Sequence, residues 1–331
     1  MLSSRVLEDH KDNFNQKHPC RLINPCKSEI GAISKSILDR VNSNLRKKLH
    51  VNQWKNTDQV IEWFSSIKNK QNCTFVQLDI KEFYPSISRQ ILEDSIEFAK
   101  LHTTITEKEI RTIFHCRKSL LFFNDEAWKK KNTHDCFDVT MGSFDGAEIC
   151  ELVGIFIIHK LSSIINKNNM GLYRDDGLMI LRNMTKRTAD IKRKEIIQIF
   201  KNVGFDIDIS INMTSADFLD ITMDLISNTY KPYKKPNDHL QYIHTSSNHP
   251  TNILKQLPVS IKDRLVKNSS NATVFNQAKP EYEEALRNSG HNPESLKCET
   301  SPKRTGRHHM TSYGSIQLIV RMYQLMWQNR S

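Results

Sequence analysis

GLYRDDGLMIL, residues 171–181, sets three charged side chains, Arg174, Asp175 and Asp176, inside an otherwise apolar run. Two short apolar arms flank the RDDG, and an Asp-Gly pair between such arms signals a β-hairpin. The aspartates are therefore expected at a tight turn that aims two carboxylates outward together. Two such charges about 4 Å apart repel by roughly 4 kcal/mol at an effective dielectric near 20, so a purely structural chain has no reason to keep them. Something positive should sit there.

Working outward, CTFVQLDI (73–80) is β-rich and delivers Asp79 at its carboxyl end. SRQILEDSIEFAK and TEKEIRTIFHCRKSLLF then resume helical spacing. In TMGSFDGAEICELVGIFIIHKLSSII, Asp145 and Glu148 match an N-cap and N3 pair, and Ile149, Leu152, Val153, Phe156, Ile157 and Leu161 form one broad apolar stripe. From Lys186 to Val203 the pattern is helical and basic, closed by Gly204, and FDIDISI alternates as an exposed or edge strand should. ADFLDITMDLIS and YKPYKKP make one more hairpin around Asn228. Upstream, Ile30, Ile33, Ile37, Val41 and Leu45 define an amphipathic helix behind a Ser28 N-cap, and downstream TNILKQLPVSIKDRLVKN and TVFNQAKPEYEEALRNSG are helical. This order predicts an α+β core with an antiparallel sheet and helices on one face, with a domain change near residue 237.

The 331 residues carry 48 Lys and Arg against 37 Asp and Glu, a net charge of +11 that favours a polyanionic partner. A hydrophobic fraction of 38% suits a folded globular chain. ELVGIFIIHKL (151–161) is far shorter than the ~20 apolar residues a bilayer needs, and the N-terminus lacks an apolar signal core. The expectation is an intracellular protein of nucleus or cytoplasm, not secreted and with no membrane partner. Seven cysteines at 20, 26, 73, 116, 136, 150 and 298, never spaced as CxxC, argue against a disulfide framework or a zinc site.

Phosphoryl transfer needs nucleophile, phosphate and leaving group positioned while negative charge is neutralised. Two divalent ions about 3.5 to 4 Å apart do this with carboxylates from at least two chain segments. Asp79 at a strand end and Asp175 and Asp176 at a turn meet that requirement if the strands are neighbours. Taken singly, an aspartate at a strand end is at least as often a turn or cap, and a loop DD is usually solvated.

The ordered set FVQLDIKEFYPSIS, MGSFDGAEICELVGIFI and LYRDDGLMI resembles motifs A, B and C of reverse transcriptases, the palm of a right-hand polymerase. VGFDIDI and ADFLDITMDL look like motifs D and E, and YKPYKKPNDHLQYIHTSSNHP, with His249, resembles the segment after the palm in Penelope-like retroelements. The resemblance covers roughly residues 20–260. It implies a right-hand fold with a ferredoxin-like antiparallel palm sheet, helical fingers and helical thumb. The divisions would be 1–18 flexible N-terminus, 19–74 fingers, 75–237 palm, 238–298 thumb-like region and 299–331 basic tail. It implies an RNA-directed DNA polymerase of a mobile retroelement, using two Mg2+ ions (or Mn2+), an RNA template, a DNA or RNA primer and dNTPs. The alternatives are an RNA-dependent RNA polymerase and a truncated, non-catalytic nucleic-acid-binding remnant; the acid-free stretch 301–331 suggests a truncated or out-of-frame copy.

Carried over by position, Asp79, Asp175 and Asp176 are the catalytic and metal-holding residues, with Asp176 the least directly coordinating. Ile80, Lys81, Glu82 and Phe83 would face the incoming triphosphate, and Tyr84 would close against a ribose 2′-hydroxyl. Arg21 and Lys27 would meet triphosphate or template. Gly142 and Ser143 would underlie the nascent base pair, and Tyr173, Arg174, Phe218, Leu219 and Asp220 would meet template or primer. Two departures stand out. Asp145-Gly146 occupies a place where many relatives have proline, and GFDIDISIN offers no lysine after its glycine.

Overall fold

Cys73–Ile80 alternates its side chains between two covered faces, which makes it the central strand of the molecule. The structure is a computed structural model that describes residues 4–7, 20–23, 28–123, 126–130, 136–235 and 239–296. In chain order it begins with strands β1 (Ser4–Leu7) and β2 (Cys20–Ile23), helix α1 (Glu29–Leu49), β3 (Asn52–Gln53) and α2 (Thr57–Ser66). Then come β4 (Cys73–Ile80), the single turn α3 (Phe83–Ser86), α4 (Arg89–Lys100), α5 (Glu107–His115), and the pair β5 (Leu121–Phe123) and β6 (Glu126–Trp128). They are followed by α6 (Gly146–Leu161), β7 (Met170–Tyr173), β8 (Asp176–Arg182), α7 (Lys186–Val203) and β9 (Ile207–Met213). The last elements are β10 (Ser215–Phe218), β11 (Ile221–Asp224), β12 (Thr229–Pro232), α8 (Thr251–Lys267) and α9 (Ala272–Asn288).

Five strands form one sheet in the order β3-β7-β8-β4-β9. It is antiparallel except at its margin, where β3 runs parallel to β7. Val76, Leu78, Ile80, Met179 and Leu181 point to the face covered by α1, α4, α6 and α7. Phe75, Leu178 and Ile180 point to the other, where α2 and the three-stranded sheet β10-β11-β12 lie. Both faces are thus covered, not one as expected. The reason is that β10 and β11 supply Ala216, Phe218, Ile221 and Met223 as a second apolar layer.

Helix α6 is buried nearly all round, including Glu148, Cys150 and Gly154, so it is the axis of the helical layer rather than a helix with one apolar stripe. Ser28 does cap α1, accepting from the Gly31 N–H. The buried side of α1 is Gly31, Ser34, Leu38, Val41, Asn42 and Leu45, while Ile30 and Ile33 stand out in solvent. The apolar periodicity misses this phase because the contact with α6 is made through small and polar residues: the Asn42 amide donates to the Glu148 carbonyl at 2.9 Å.

Two expected divisions are crossed by strand pairing or fall inside a strand, and one expected hairpin becomes two. Ser4–Leu7 pairs with Cys20–Ile23, across the division placed at 18/19. The 74/75 division falls within β4. Residues 215–232 make two consecutive hairpins instead of one. Gly204 ends α7 at φ 103°, as expected of a left-handed cap. Residues 299–331 lie outside the described residues.

Candidate active site

The β7–β8 hairpin is closed by the pair Tyr173 and Asp176, which leaves Arg174 and Asp175 as its two connecting residues. Arg174 adopts φ 55°, the left-handed conformation that a tight hairpin asks of its first connecting residue. The turn therefore lies earlier than an Asp-Gly reading places it. Gly177 is a strand residue facing Leu78, and a Cβ there would come within 2.8 Å of Leu78 and Leu172. Its missing side chain serves close packing under the turn.

On β4, Asp79 is directly opposite Asp176 of β8 on one side and Asp208 of β9 on the other. Directly opposed residues share a face, so three aspartates stand in a row across three strands, with α-carbons about 4.5 to 5.5 Å apart between neighbours. Asp175 is held at the rim, where its carbonyl accepts the Ile80 N–H at 2.9 Å. Burial, then the charges of Asp175 and Asp208, raise the Asp79 carboxyl above the usual carboxylate range, and Lys81 pulls it down. Lys81 reaches across to Asp208 at 2.7 Å, and both ends are exposed. Sequence reading took FDIDISI for a plain edge strand and missed Asp208; only the β4–β9 register reveals it.

Among the described residues no three His, Cys, Asp or Glu side chains converge as a ready-made metal cage. Magnesium is commonly held by one or two carboxylates, with waters and substrate phosphates completing the shell. Asp79 beside the Asp175–Asp176 turn, its charged form disfavoured by burial and by the neighbouring carboxylates, fits that mode.

Lys81 and Glu82 are exposed and Ile80 is buried. The Lys81 N–H is spent on the Asp206 carbonyl at 2.9 Å and that of Ile80 on Asp175, so neither amide is free to face a triphosphate as expected. Glu82 takes φ 47° and turns the chain into α3. Phe83 is a core residue packed on Phe205 at 5.4 Å, and its place is structural. Tyr84 is half-buried near Cys150, Arg174 and Asp175; burial and then Cys150 push its phenol up, with Arg174 opposing. The Arg174 guanidinium lies 5.5 Å over the Tyr173 ring. Lys130, which the sequence did not single out, donates to the Pro85 carbonyl beside Tyr84 and pairs with Asp138 at 3.3 Å.

Gly142 at φ 87° and Ser143 form the loop ahead of α6. The expected capping box is absent. Asp145 sits at the N-cap without a side-chain cap bond; its carboxylate, 1% exposed, instead pairs with equally buried Arg117 and accepts from the Ser34 hydroxyl. Glu148 pairs with Lys35 of α1. These two acids therefore tie α1 and the α5 end to the start of α6.

The turn between β10 and β11 differs most from expectation. Phe218 is 1% exposed against Trp54 at 5.5 Å, so its side chain cannot touch a template or primer. Leu219, at φ 55°, packs on the same cluster. The Asp220 carboxylate accepts from Arg264 of α8 at 2.7 Å and from Thr57 of α2 at 3.3 Å. The alternation of β10 points its aromatic inward, and the turn is spent on fastening α8. Arg21 falls on β2, opposite Val6, and Lys27 lies outside the described residues.

No protein-family model matches the sequence, and no curated protein matches it. Solved structures do. One is telomerase from Candida albicans in complex with the TWJ fragment of telomeric RNA, with TM-score 0.51 and 10% identity over 79% of this chain and 47% of that one. Another is the RNA-dependent RNA polymerase of a human picobirnavirus, with TM-score 0.53 and 10% identity over 82% and 54% of the two chains. The RNA-dependent RNA polymerase of BmCPV at its elongation state gives 0.50 and 9% over 86% and 26%. The fold is that of the right-hand polymerases. The chain spans about half the length of the telomerase and picobirnavirus chains.

Proposed function

We propose that the chain is a template-directed nucleic-acid polymerase, and specifically an RNA-directed DNA polymerase extending a primer 3′-hydroxyl with dNTPs on an RNA template. The observation that carries this reading is the β4–β8 register, which sets Asp79 opposite Asp176 with Asp175 in the adjoining turn. In this reading Asp79 and Asp175 hold two Mg2+ ions, replaceable by Mn2+, with Asp176 beside them. When bound, such ions neutralise the transferring phosphate and lower the pKa of the attacking hydroxyl.

The chain's own residues orient the reactants. In this reading Tyr84, half-buried beside Asp175, closes against the sugar of an incoming nucleotide. Lys81, held on the sheet face by Asp208, offers a cation to the triphosphate. Gly142 and Ser143 would carry the template base pair, and Arg174, exposed at the turn, the primer end.

Primer extension on poly(rA)/oligo(dT) with Mg2+ or Mn2+ tests the reading. The parent should extend, and Asp175→Asn should fall by at least about a hundredfold, since even residues that merely support metal ligands are worth 10- to 100-fold. Equal incorporation by both would remove this chemistry from the chain. A polymerase making RNA is the second reading, favoured by the picobirnavirus likeness. Tyr84→Ala separates the two: it should increase ribonucleotide use only if Tyr84 guards the sugar.

A further inference from the structure

A cavity of about 590 Å³ opens at the β3 margin of the five-stranded sheet, between the end of α1, helix α2 and the loop before β7. It lies away from the aspartates. Arg182 on its wall pairs with Cys73, six residues along β4 from Asp79 (73 to 79), which is about 20 Å at about 3.4 Å per residue. A cavity of this size suits a small ligand. Arg182 is half-buried, gives one nitrogen to the Lys68 carbonyl at 2.7 Å and makes no ion pair among the described residues, so its charge calls for an anion. Trp54 and Trp63, also on the wall, meet edge to face at 5.2 Å. The Trp63 indole N–H is already given to the Asn168 carbonyl at 2.9 Å, so this pair adds apolar ring surface. Gln53 lines the cavity and is 5% exposed, its amide packed where a Cβ on Gly154 of α6 would come within 2.8 Å. Its Oε1 has no hydrogen-bond partner among the described residues. A buried acceptor left unmet is costly, and the last torsion of a glutamine is soft enough to turn the amide toward a donor. Of the other charged groups on the wall, Arg46 is paired with Glu151 of α6, and Glu62 stands exposed on α2.

We propose that this cavity binds a nucleoside monophosphate unit, with its phosphate on Arg182, its base against Trp54 and Trp63, and a donor of the base or ribose on Gln53. The wall asks for an anion, a flat apolar face and a hydrogen-bond donor, and a nucleotide carries all three. The unit can arrive as a free nucleotide or as the end of a single strand. The site is independent of any metal-dependent chemistry at Asp79.

Isothermal titration calorimetry of the full chain in EDTA tests this with AMP, adenosine, ribose 5-phosphate and inorganic phosphate. AMP should bind, and each of the other three should bind at least about tenfold more weakly, because each lacks a part the wall recognises. Arg182→Gln should weaken AMP by at least about tenfold. Gln53→Leu should weaken it by about three- to tenfold and leave the Tm equal or higher, since it removes an unmet acceptor. Glu62→Gln, an exposed change that spares the fold, should tighten AMP by about two- to fivefold and leave adenosine unmoved. Fluorescein-labelled oligo(rA), followed by anisotropy, separates the two sources. Displacement by AMP, with loss of binding in Arg182→Gln, shows a strand end entering the cavity; AMP binding with no AMP-displaceable oligonucleotide shows the free nucleotide as the ligand. No AMP heat and no AMP-displaceable oligonucleotide in the parent would overturn the proposal, as would AMP binding that is unchanged in both Arg182→Gln and Glu62→Gln. Loss of AMP binding in Asp175→Asn would overturn it too, by placing the nucleotide at the aspartates. A chain that binds AMP as expected yet extends no primer would remove the polymerase reading and leave this site standing.

Discussion

Asp79 has acidic neighbours on both flanks and one cation within reach, and its carboxyl is raised first by burial and then by Asp175 and Asp208. A raised carboxylate pKa means the fold penalises the charged form. That penalty is in force above the folded pKa and is relieved as pH falls through it. Without divalent ions, Asp79→Asn should therefore stabilise the protein near pH 7.5 and lose that advantage as pH falls through the carboxylate range. Because the group is largely exposed, the gain should be at most about 1 kcal/mol, a Tm rise of about 1 to 3 °C. Mg2+ should raise the Tm of the parent and leave Asp79→Asn unmoved. Thermal melts at two pH values, with and without Mg2+, check both; a lower Tm for Asp79→Asn at pH 7.5 would show that Asp79 supports the fold. At this scale Asp79, Asp175 and Asp176 were singled out in the sequence through the order of their motifs, since a strand-end aspartate or a loop pair read alone is as often a cap or a solvated turn. Asp208 was not, because an aspartate on an alternating strand looks like any solvated residue until its neighbour across the sheet is known.

The α6 helix joins the site to the rest of the molecule through an ion pair in its first turn. Arg117 and Asp145 are each 1% exposed, and Ser34 donates to the same carboxylate. Removing one partner of a buried pair strands the other charge and typically costs 3 to 5 kcal/mol, whereas replacing both by apolar groups is often near neutral. Arg117→Met alone and Asp145→Leu alone should each lower stability by about 3 kcal/mol or more, and the double variant should recover most of the loss. Urea unfolding of the three variants measures this, and additive losses would mean that the two residues act separately. Helix positions were readable from apolar spacing, and the caps of α1 and α7 from Ser28 and Gly204. What spacing could not supply was rotation. Asp145 and Glu148 fit a capping pattern by sequence distance, but tertiary partners at Arg117 and Lys35 took their carboxylates. Ile30 and Ile33 fit an apolar stripe, but α1 turns its small residues toward α6.

A net charge of +11 sits on a right-hand fold whose α8 is anchored by Arg264 to Asp220 and by Lys267 to Asp58. Those two cations are spent on the molecule itself. Lys255 and Lys262, on the same helix, make no ion pair among the described residues and stay available to a phosphate backbone. Each phosphate neutralised releases condensed counterions, so log K should fall linearly with log salt by about 0.9 per contact on a duplex. Binding to an RNA–DNA hybrid, measured by fluorescence anisotropy from 50 to 300 mM KCl, should follow such a line. Lys255→Gln with Lys262→Gln should reduce the slope by about 1 to 2 and weaken binding uniformly across sequences. Arg264→Ala should leave the slope near that of the parent, because its charge is already taken by Asp220. A slope that drops for Arg264→Ala but not for the lysine pair would place the nucleic acid on the face of α8 turned toward Asp220, and would mean that the ion pair opens when nucleic acid binds.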